Sequence, residues 1–565
     1  MGSRSEISIT SARAIAFAFA AVICAETAHA QQNRDSVDAR RRAVNAQERF
    51  ERTRRQNLPR QSSGPPSRGC DAHIGRFCQW NSEDDTIRTR EPRAITRARV
   101  TLLTSLDSLA RRSPRDGWIT GQRIRYLLEI NNDTSAVRVA RECQSAEWWC
   151  AALEGLALQQ GANGDAPDSA FARALRTMPA SERCRWTDMT PIMDPSLRKR
   201  FGKVGCGKND DVAERLWWVA DPFWSVAGND RRAEHYARHT MAKILQPASI
   251  AYNLSWSSDL REMIVRYGWA RYWTRGDGTT YEPNNGPISG HEATPNYHFV
   301  PVSLSSDSTP SASYDLGMDQ SAERYQPVAA RHVFEIDPQI AVFMRGDSAL
   351  VVAAYDVSKR REFDSAVVSS SLVLARDERS LPRLAATNGT GGAMSVLVDP
   401  KPQMLSVEVV DSIDRRAAAW NRITLKLAPP VPGKISMSDV LLFNPQDREV
   451  RDVDEAMQSA LGSISVPRTT VGLYWEIYGL AQTDSAMPVS LTLERVSKST
   501  FRRIGESIGM TAKSSPLSIR WTQTMSLTSV TARSVVLDLS LIPKGKYRLR
   551  IEAGSASTVR LMELI

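Results

Sequence analysis

Residues 255–269, with the sequence SWSSDLREMIVRYGW, lie where the residue pattern of the chain changes. Asp259 and Glu262 have the spacing of a capping box, which marks the first turn of a helix. The apolar residues between Asp259 and Gly268 fall on one helical face, and Gly268 is placed as a C-terminal cap. The residue pattern therefore predicts a short helix over 260–267.

Upstream of this stretch, apolar residues recur at helical spacing from about residue 97 to 245. Small and apolar residues at tetratricopeptide offsets occur twice, 34 residues apart, first at Gly121, Ile124, Val137 and Ala140, then at Gly155, Leu158, Phe171, Ala174 and Pro179. The pattern resembles a short tetratricopeptide array. We therefore expect a TPR-like module of α-helical hairpins over 70–245, with a groove that binds an extended protein or peptide partner.

Downstream, the apolar period changes from helical to two. Short alternating runs separated by turn residues are typical of β-sandwiches. The fold class predicted is therefore multidomain α+β, in which the helical module precedes two antiparallel β-sandwich (Ig-like) domains over 331–445 and 467–565. Residues 446–466 are expected to be a connector, and residues 246–330 a joint and loop region.

The joint region also carries a family resemblance. The segment SWSSD at 255–259 resembles the Gly-Trp-x-Thr-Asp signature of GWxTD-domain secreted bacterial proteins, in which Trp256 and Asp259 match and Ser255 and Ser258 depart. Residues 474–480 are similar to the C-terminal strand of that family. The resemblance implies an exported protein without an established activity. It also implies a strand after the Asp, so helix and strand both stay open for residues 260–267.

The N-terminal thirty residues have the pattern of a secretory signal peptide. Arg4 and Arg13 precede an apolar run, and Ala28-His29-Ala30 is the small-x-small pattern of a cleavage site. A lipid anchor at Cys24 is the weaker alternative. No later apolar run reaches the roughly 18 residues of a membrane span. We expect cleavage near Ala30, no transmembrane helix in the mature chain and a periplasmic or secreted location.

Six of the seven cysteines follow the predicted signal peptide. An even number of cysteines in an oxidising compartment favours disulfides, although six cysteines allow fifteen pairings. Pairing in chain order is our hypothesis. The second pair needs a helix break near residues 145–146, because seven helical residues would separate its members by about 10 Å. The proposed pairs are Cys70 with Cys78, Cys143 with Cys150, and Cys184 with Cys206.

The composition is that of a globular protein, with 42% apolar and 24% charged residues and a net charge of +10. Ten arginines against four carboxylates lie between Arg34 and Arg68, and the segment ends in QSSGPPS at 61–67. This composition predicts a basic disordered linker over 31–69, with an anionic envelope surface as the alternative partner. Export excludes nucleic acid as the obvious partner.

Histidines between residues 230 and 300 form the strongest candidate metal site. His235 and His239 are four residues apart on a predicted helix, and His291 and His298 follow in a loop. The order of a zinc-protease motif is missing, so the prediction is that the protein holds no metal and no cofactor.

A second candidate surface is rich in aromatic and arginine residues. Trp269 and Trp273 with Arg266 and Arg271 have the composition of a platform for sugars or peptidoglycan. The same residues also pack ordinary interfaces, and we interpret the region as a packing joint. The tryptophans of the helical part are expected to be core residues.

Two short motifs match catalytic or nucleotide-binding patterns only in part. GESIG at 505–509 spells a hydrolase elbow, but no histidine follows it. GKVGCGK at 202–208 lacks the Ser or Thr of a phosphate-binding loop, so we interpret it as a glycine-rich turn.

Together these patterns predict an exported, non-enzymatic interaction or scaffold protein of the bacterial cell envelope. The alternative is a metal-dependent or carbohydrate-active enzyme, or a glycan-binding protein, centred on residues 230–300.

Overall fold

The structure is a computed structural model of the 565-residue chain. It describes residues 34–61, 69–80, 90–161, 165–277, 286–291, 297–305, 311–317, 322–364, 366–431, 433–445, 449–480, 486–496, 517–524 and 530–565. The predicted signal peptide at 1–30 and the GESIG motif at 505–509 lie outside the described residues.

The described residues form a mixed α+β protein of two compact units. The first unit comprises the described residues up to Asp210 together with Gly228–His298 and Leu316–Tyr325. The second comprises Asp211–Ala227, Phe299–Asp315 and Gln326–Ile565. The predicted boundaries at 245 and 330 are corrected, because two segments from the helical and joint regions belong to the β-rich unit.

The described helices follow one another in chain order, and those between residues 93 and 245 agree with the predicted helical periodicity. They are α1 (34–56), α2 (Arg93–Arg112), α3 (Gly117–Leu128), α4 (Asp133–Arg141), α5 (Glu147–Gln160), α6 (Ala166–Thr177), α7 (Ala180–Thr187), α8 (Pro195–Phe201), α9 (Asp210–Ala220), α10 (Asp230–Leu245), α11 (Ser258–Tyr267) and α12 (Val453–Gln458).

Three short hairpins accompany them. These are β1 (Ala72–Ile74) with β2 (Phe77–Gln79), β3 (Tyr272–Arg275) with β4 (Ile288–His291), and β5 (Ser303–Leu304) with β6 (Ala312–Ser313).

The larger sheets lie in the second unit. Sheet A has the order β11-β10-β13-β14-β7, and sheet B the order β12-β9-β8. Their strands are β7 (His332–Glu335), β8 (Gln339–Arg345), β9 (Ser348–Asp356), β10 (Val368–Ala375), β11 (Arg383–Asn388), β12 (Gly391–Val398), β13 (Gln403–Asp411) and β14 (Ala417–Leu425).

Sheets C and D follow in the chain. In sheet C, β18 pairs with β15, β16 and β21, and sheet D has the order β17-β23-β22-β19-β20. Their strands are β15 (Ser436–Met437), β16 (Leu441–Phe443), β17 (Ser465–Val466), β18 (Thr470–Tyr478), β19 (Ala486–Arg495), β20 (Leu517–Thr524), β21 (Val530–Asp538), β22 (Gly545–Ala553) and β23 (Ala556–Leu564).

Helical hairpins build the first unit. The hairpins α3–α4 and α5–α6 share one apolar core, to which α10 also contributes. Gly155 is required on α5, because a Cβ there would lie 2.7 Å from the Phe171 ring of α6. The helix α10 packs across α3 and α5. The side-chain amide of Gln122 on α3 donates to the carbonyl oxygen of Ile244 on α10 at 2.9 Å.

The basic segment near the N-terminus corrects a prediction. Residues 34–56 of the predicted disordered linker form α1, whose Ala39, Ala43, Ala46 and Phe50 lie in one core with residues of α2 and α3. These positions recur at helical spacing, and the many arginines between them obscured the apolar stripe.

The second unit is a stack of four sheets. One apolar core lies between sheets A and B, a second between sheets B and C, and a third between sheets C and D. Each outer pair is a β-sandwich, as the alternating pattern predicts. The middle core joins the two sandwiches, so they form a continuous packed block.

Two strands of this stack, β9 and β18, are buried on both faces. On β18, Leu473 and Trp475 face the core of the second sandwich, whereas Tyr474 between them faces the middle core. The predicted connector is corrected: Val453 and Ala456 of α12 lie in the middle core, and β15 and β16 from the predicted first sandwich pair with β18.

Two buried charged side chains of sheet A, Arg422 and Glu408, hold segment 211–227 by hydrogen bonds to its backbone. The Arg422 guanidinium of β14 donates to the carbonyl oxygens of Val219 and Asp221, each at 2.9 Å. The Glu408 carboxylate of β13 accepts from the backbone amides of Trp224 and Ser225, at 3.0 and 2.8 Å. Strand side chains thus bind the C-terminal end of α9.

Among the described residues, no helix combines the length and the apolar character that a membrane span requires.

The middle core gives a first testable prediction. Phe343 of β8 is fully buried there, so Phe343→Ala should lower the free energy of unfolding by about 3–5 kcal/mol through the cavity it leaves. Hydrogen exchange should accelerate in both β9 and β18, because the two sandwiches share this core. Leu541→Ala, at a side chain 89% exposed, should change stability by less than about 0.5 kcal/mol. Faster exchange in one sandwich alone would contradict the shared core.

Candidate functional site

Most sequence-predicted candidate residues lie on or around α10, at the centre of the first unit. The helix begins after Asn229, whose side chain accepts from the backbone amide of Arg232 at 2.8 Å. Its sequence is rich in charged residues, yet Arg231, His235, Arg238 and His239 are buried. A buried polar side chain requires a partner, so the surroundings of this helix define the site.

Arg238 binds three segments of the first unit. Its guanidinium donates to the Glu234 carboxylate on its own helix at 2.8 Å and to the carbonyl oxygen of Arg266, in the last turn of α11, at 2.7 Å. It also donates to the carbonyl oxygen of Arg324 at 2.7 Å. Its charge-assisted bonds therefore hold α10, α11 and residues 322–325 together.

Arg231, Glu323 and His298 form a second buried network. The Arg231 guanidinium lies 2.8 Å from one Glu323 oxygen, and His298 Nδ1 lies 2.9 Å from the other. Burial alone would raise the pKa of Glu323, but the charge of Arg231 and the bond to His298 lower it to about 2. Glu323 is therefore held as a carboxylate between Arg231 and His298.

His235 and His239 meet as predicted from their spacing, with ring centroids 4.7 Å apart. His235 Nε2 lies 2.9 Å from the carbonyl oxygen of Trp186, and the His239 ring stacks on the Trp186 ring. Burial lowers the pKa of His239 to about 3, with a further contribution from Arg261 and Arg185. Burial, followed by the neighbouring His239, also lowers the pKa of His235. Both rings are neutral core groups at neutral pH.

The other two candidate histidines have separate partners. His291 Nε2 lies 2.7 Å from the Thr274 hydroxyl across the β3–β4 hairpin, and its ring stacks on Tyr272. His298 is bound to Glu323, as described above. In the part of the chain that the structure describes, no group of three or more His, Cys, Asp or Glu side chains is placed to hold a metal ion.

The stretch at residues 255–269 contains a helix. α11 spans Ser258–Tyr267, and Gly268, with φ of +85°, caps it by donating to the Ile264 carbonyl oxygen at 2.9 Å. The helical alternative for residues 260–267 is therefore correct, and the strand implied by the family resemblance is not present. Leu260 and Ile264 pack within the first unit against Ala242 and Ile250.

Asp259 does not form the predicted capping box. Its carboxylate accepts from Arg76 Nε at 2.8 Å and Nη2 at 3.0 Å. Arg76 lies at the tip of the β1–β2 hairpin, which the Cys70–Cys78 disulfide closes. The bond to Arg76 lowers the pKa of Asp259 well below its usual range. Gly75 allows the approach, because a Cβ there would lie 2.6 Å from Asp259.

The predicted aromatic and arginine platform is divided among separate contacts. The Arg266 guanidinium donates to the Ala322 carbonyl oxygen at 2.6 Å and to the Tyr267 hydroxyl at 3.0 Å. Trp273 lies under the buried Arg54 of α1, with 4.5 Å from guanidinium carbon to ring centroid. Arg271 is exposed over Trp269 and donates to Gln160. Most of these groups therefore make internal contacts.

The six cysteines form the three disulfides of the chain-order hypothesis, Cys70–Cys78, Cys143–Cys150 and Cys184–Cys206. Residues 142–146 interrupt the helices between α4 and α5, which supplies the predicted break. Three disulfides are typical of a protein in an oxidising compartment.

Several buried charges around the site were not identified from the sequence. A buried ionic cluster contains Glu51 and Arg54 of α1, Arg125 of α3 and Glu129 at the C-terminal cap of α3. Glu323 forms a separate buried pair with Arg231. The sequence offered one weak sign, since Glu51 and Arg54 stand on the same helical face as Phe50. Nothing in the local sequence of Glu323 indicated its burial.

Comparisons with known proteins give no family. No protein-family model matches the chain, and no curated protein does. Similar solved structures include the FN1–FN3 domains of chicken CNTN1, with 9% identity, 43% of this chain and 70% of that chain covered, and a TM-score of 0.16. A DUF3823 family protein from Bacteroides ovatus has 10% identity, coverages of 41% and 96%, and a TM-score of 0.14. At these TM-scores neither carries an argument, and the β-sandwiches rest on the sheets and cores described above.

The buried histidines predict acid sensitivity. The pKa of an unfolded histidine is about 6.5, and both folded values are lower, so below about pH 6.5 the unfolded chain binds protons that the folded chain does not. Each histidine should then reduce the free energy of unfolding by about 1.4 kcal/mol per pH unit as pH falls. Denaturant titrations at several pH values give the slope of the free energy of unfolding against pH. In His235→Gln and in His239→Phe this slope should correspond to about one proton fewer than in the wild type. Equal slopes in wild type and both variants would contradict neutral burial.

The Arg76–Asp259 contact can be measured by a double-mutant cycle with Arg76→Ala and Asp259→Ala. Because the contact is bidentate and Asp259 is half-buried, we expect a stabilising coupling in the free energy of unfolding that is larger than that of a fully exposed pair. The exposed pair Arg138 and Glu142 is the control, with an expected coupling of about 0.3 kcal/mol. Equal coupling in the two pairs would show that the hairpin is not held by this bond.

Proposed function

We propose that this chain is an exported, non-enzymatic interaction protein of the bacterial cell envelope, with the sandwich block as a scaffold. One observation carries the proposal: the side chains that could perform chemistry around α10 are used as internal bonds. Glu323 is bound by Arg231 and His298, and the rings of His235 and His239 pack edge-on against each other in the core, where His239 stacks on Trp186. The alternative enzyme centred on residues 230–300 would need some of these groups to face a substrate.

The finer parts of the proposal concern relationship and location. Hairpins α3–α4 and α5–α6 are a TPR-like pair, supported by the close approach of Gly155 to Phe171. α11 and its Asp259 are a GWxTD-like element, supported by Trp256 and Asp259 in the motif positions. Export through a signal peptide at 1–30 is supported by the three disulfides.

The partner is proposed to bind the sandwich block. α10 packs across α3 and α5, the first helices of both hairpins, so the chain's own helix occupies the face these helices share. Among the described strands, β11 forms one edge of sheet A. Leu381, just before β11, is 93% exposed, and Leu384 on β11 is 50% exposed. A partner peptide can add a strand to such an edge through backbone hydrogen bonds.

Photocrosslinking in intact cells tests this proposal. A photoreactive residue at Leu381 should give a discrete protein adduct, and Leu384→Lys should reduce that adduct about tenfold, because an exposed edge strand is blocked by a lysine. The matched control is Val100 of α2, which is 61% exposed and should give no discrete adduct.

Two outcomes would contradict the proposal. Adducts of equal yield at Leu381 and Val100 would show that the partner does not bind specifically at the β11 edge. Stoichiometric zinc in protein purified without a tag, lost in His235→Ala, would favour the metal-dependent enzyme instead.

A further inference from the structure

The segment from the second half of α6 to the loop before α9 is strongly basic. Residues 173–208, which we call the basic lobe, carry nine lysines and arginines and three acidic residues. The cations lie on α6, α7, α8 and the following loop, at Arg173, Arg176, Arg183, Arg185, Arg198, Lys199, Arg200, Lys203 and Lys208.

Burial separates the two signs of charge in the basic lobe. All nine cationic residues are exposed. The three carboxylates are turned inward or paired: Asp194 caps α8 and is 8% exposed, Glu182 is bound by Lys243 at 2.6 Å, and Asp188 lies 3.4 Å from Lys203. Arg185 also pairs with Glu182, and Arg173 pairs with Glu154 of α5, yet the nine cations outnumber these carboxylates, so the outer surface of the lobe is mainly positive.

The basic lobe is also rigid. The Cys184–Cys206 disulfide joins α7 to the glycine-rich turn at 202–208, and the Met189 amide donates to the Val204 carbonyl oxygen at 3.0 Å. Asn209 donates to the carbonyl oxygens of Phe201 and Lys203 at 2.9 and 3.0 Å. Six apolar side chains of the lobe are buried, namely Trp186, Met189, Ile192, Met193, Leu197 and Val204. The cations are thus held on a fixed support.

The chemistry of this surface indicates the kind of partner. The basic lobe is fully described, and none of the exposed large apolar side chains of the chain lies in it. A protein interface normally has an apolar or aromatic centre, which is missing here. A layer of phosphate head groups needs only spread positive charge, and it attracts cations within about one Debye length.

We infer that the basic lobe docks the protein electrostatically on a membrane surface of anionic phospholipid, without insertion. The docking is independent of the protein partner proposed at β11. It leaves the edge of sheet A unused and does not involve the core around α10.

Cosedimentation of the full-length protein with vesicles tests the inference. Binding is expected to phosphatidylcholine vesicles that contain about 30% phosphatidylglycerol, and not to pure phosphatidylcholine. The triple variant R198E/K199E/R200E should weaken binding by about 100-fold or more, since each surface cation contributes roughly fivefold. The variant R176E/R183E, on α6 and α7, should weaken it about 25-fold or more and guards against an effect of α8 folding alone.

The matched control is R93E/R97E/R111E, which changes the net charge equally at three exposed arginines of α2. This control should keep most of the binding. Loss equal to that of R198E/K199E/R200E would show that total charge, and not the basic lobe, determines binding, and would overturn the inference. Tighter binding to inorganic polyphosphate than to vesicles at equal phosphate would also overturn it, in favour of a soluble polyanion.

Discussion

Both units depend on one constraint: an arginine removed from water needs hydrogen-bond acceptors for its guanidinium. Arg238 of α10 meets this constraint with Glu234 and two carbonyl oxygens, so α10, α11 and residues 322–325 have a fixed arrangement. Arg422 does the same in the second unit, where it holds the end of α9 on sheet A. A buried and unpaired charge would be far more costly than the bonds that are made, so each arginine determines which distant segment lies beside it.

Burial on both faces has a comparable effect on the sandwiches. β9 and β18 each contribute side chains to two apolar cores, and the middle core turns two sandwiches into one block. The Glu476 carboxylate of β18 lies among these layers, bound by Arg345 and by the hydroxyls of Tyr474 and Tyr478. Binding surfaces of such a block lie at edges and loops, because its inner faces are covered. This is the physical basis for placing a partner at β11.

Much of the fold could be predicted from local patterns. The strands of both sandwiches agree with the apolar periodicity, the helix at 258–267 is one of the two alternatives left open, and the disulfides match the chain-order hypothesis. α1 was missed because its arginines dominate the composition, although Ala39, Ala43, Ala46 and Phe50 form a helical stripe. The fused sandwiches were also missed. The almost uninterrupted apolar run of β18 is typical of a strand covered on both faces.

The candidate site shows the limit of local patterns. The spacing of His235 and His239 predicted correctly that the rings meet, because residues four apart share a helical face. Whether those rings face water or a core depends on Trp186, some fifty residues earlier, and the role of Glu323 depends on Arg231 and His298. The sequence by itself therefore determined most of the elements and their periodicity, which arise from neighbours along the chain. Only the tertiary structure decided which charges are buried and paired and which, as in the basic lobe, stay in water, because burial is set by segments distant in sequence.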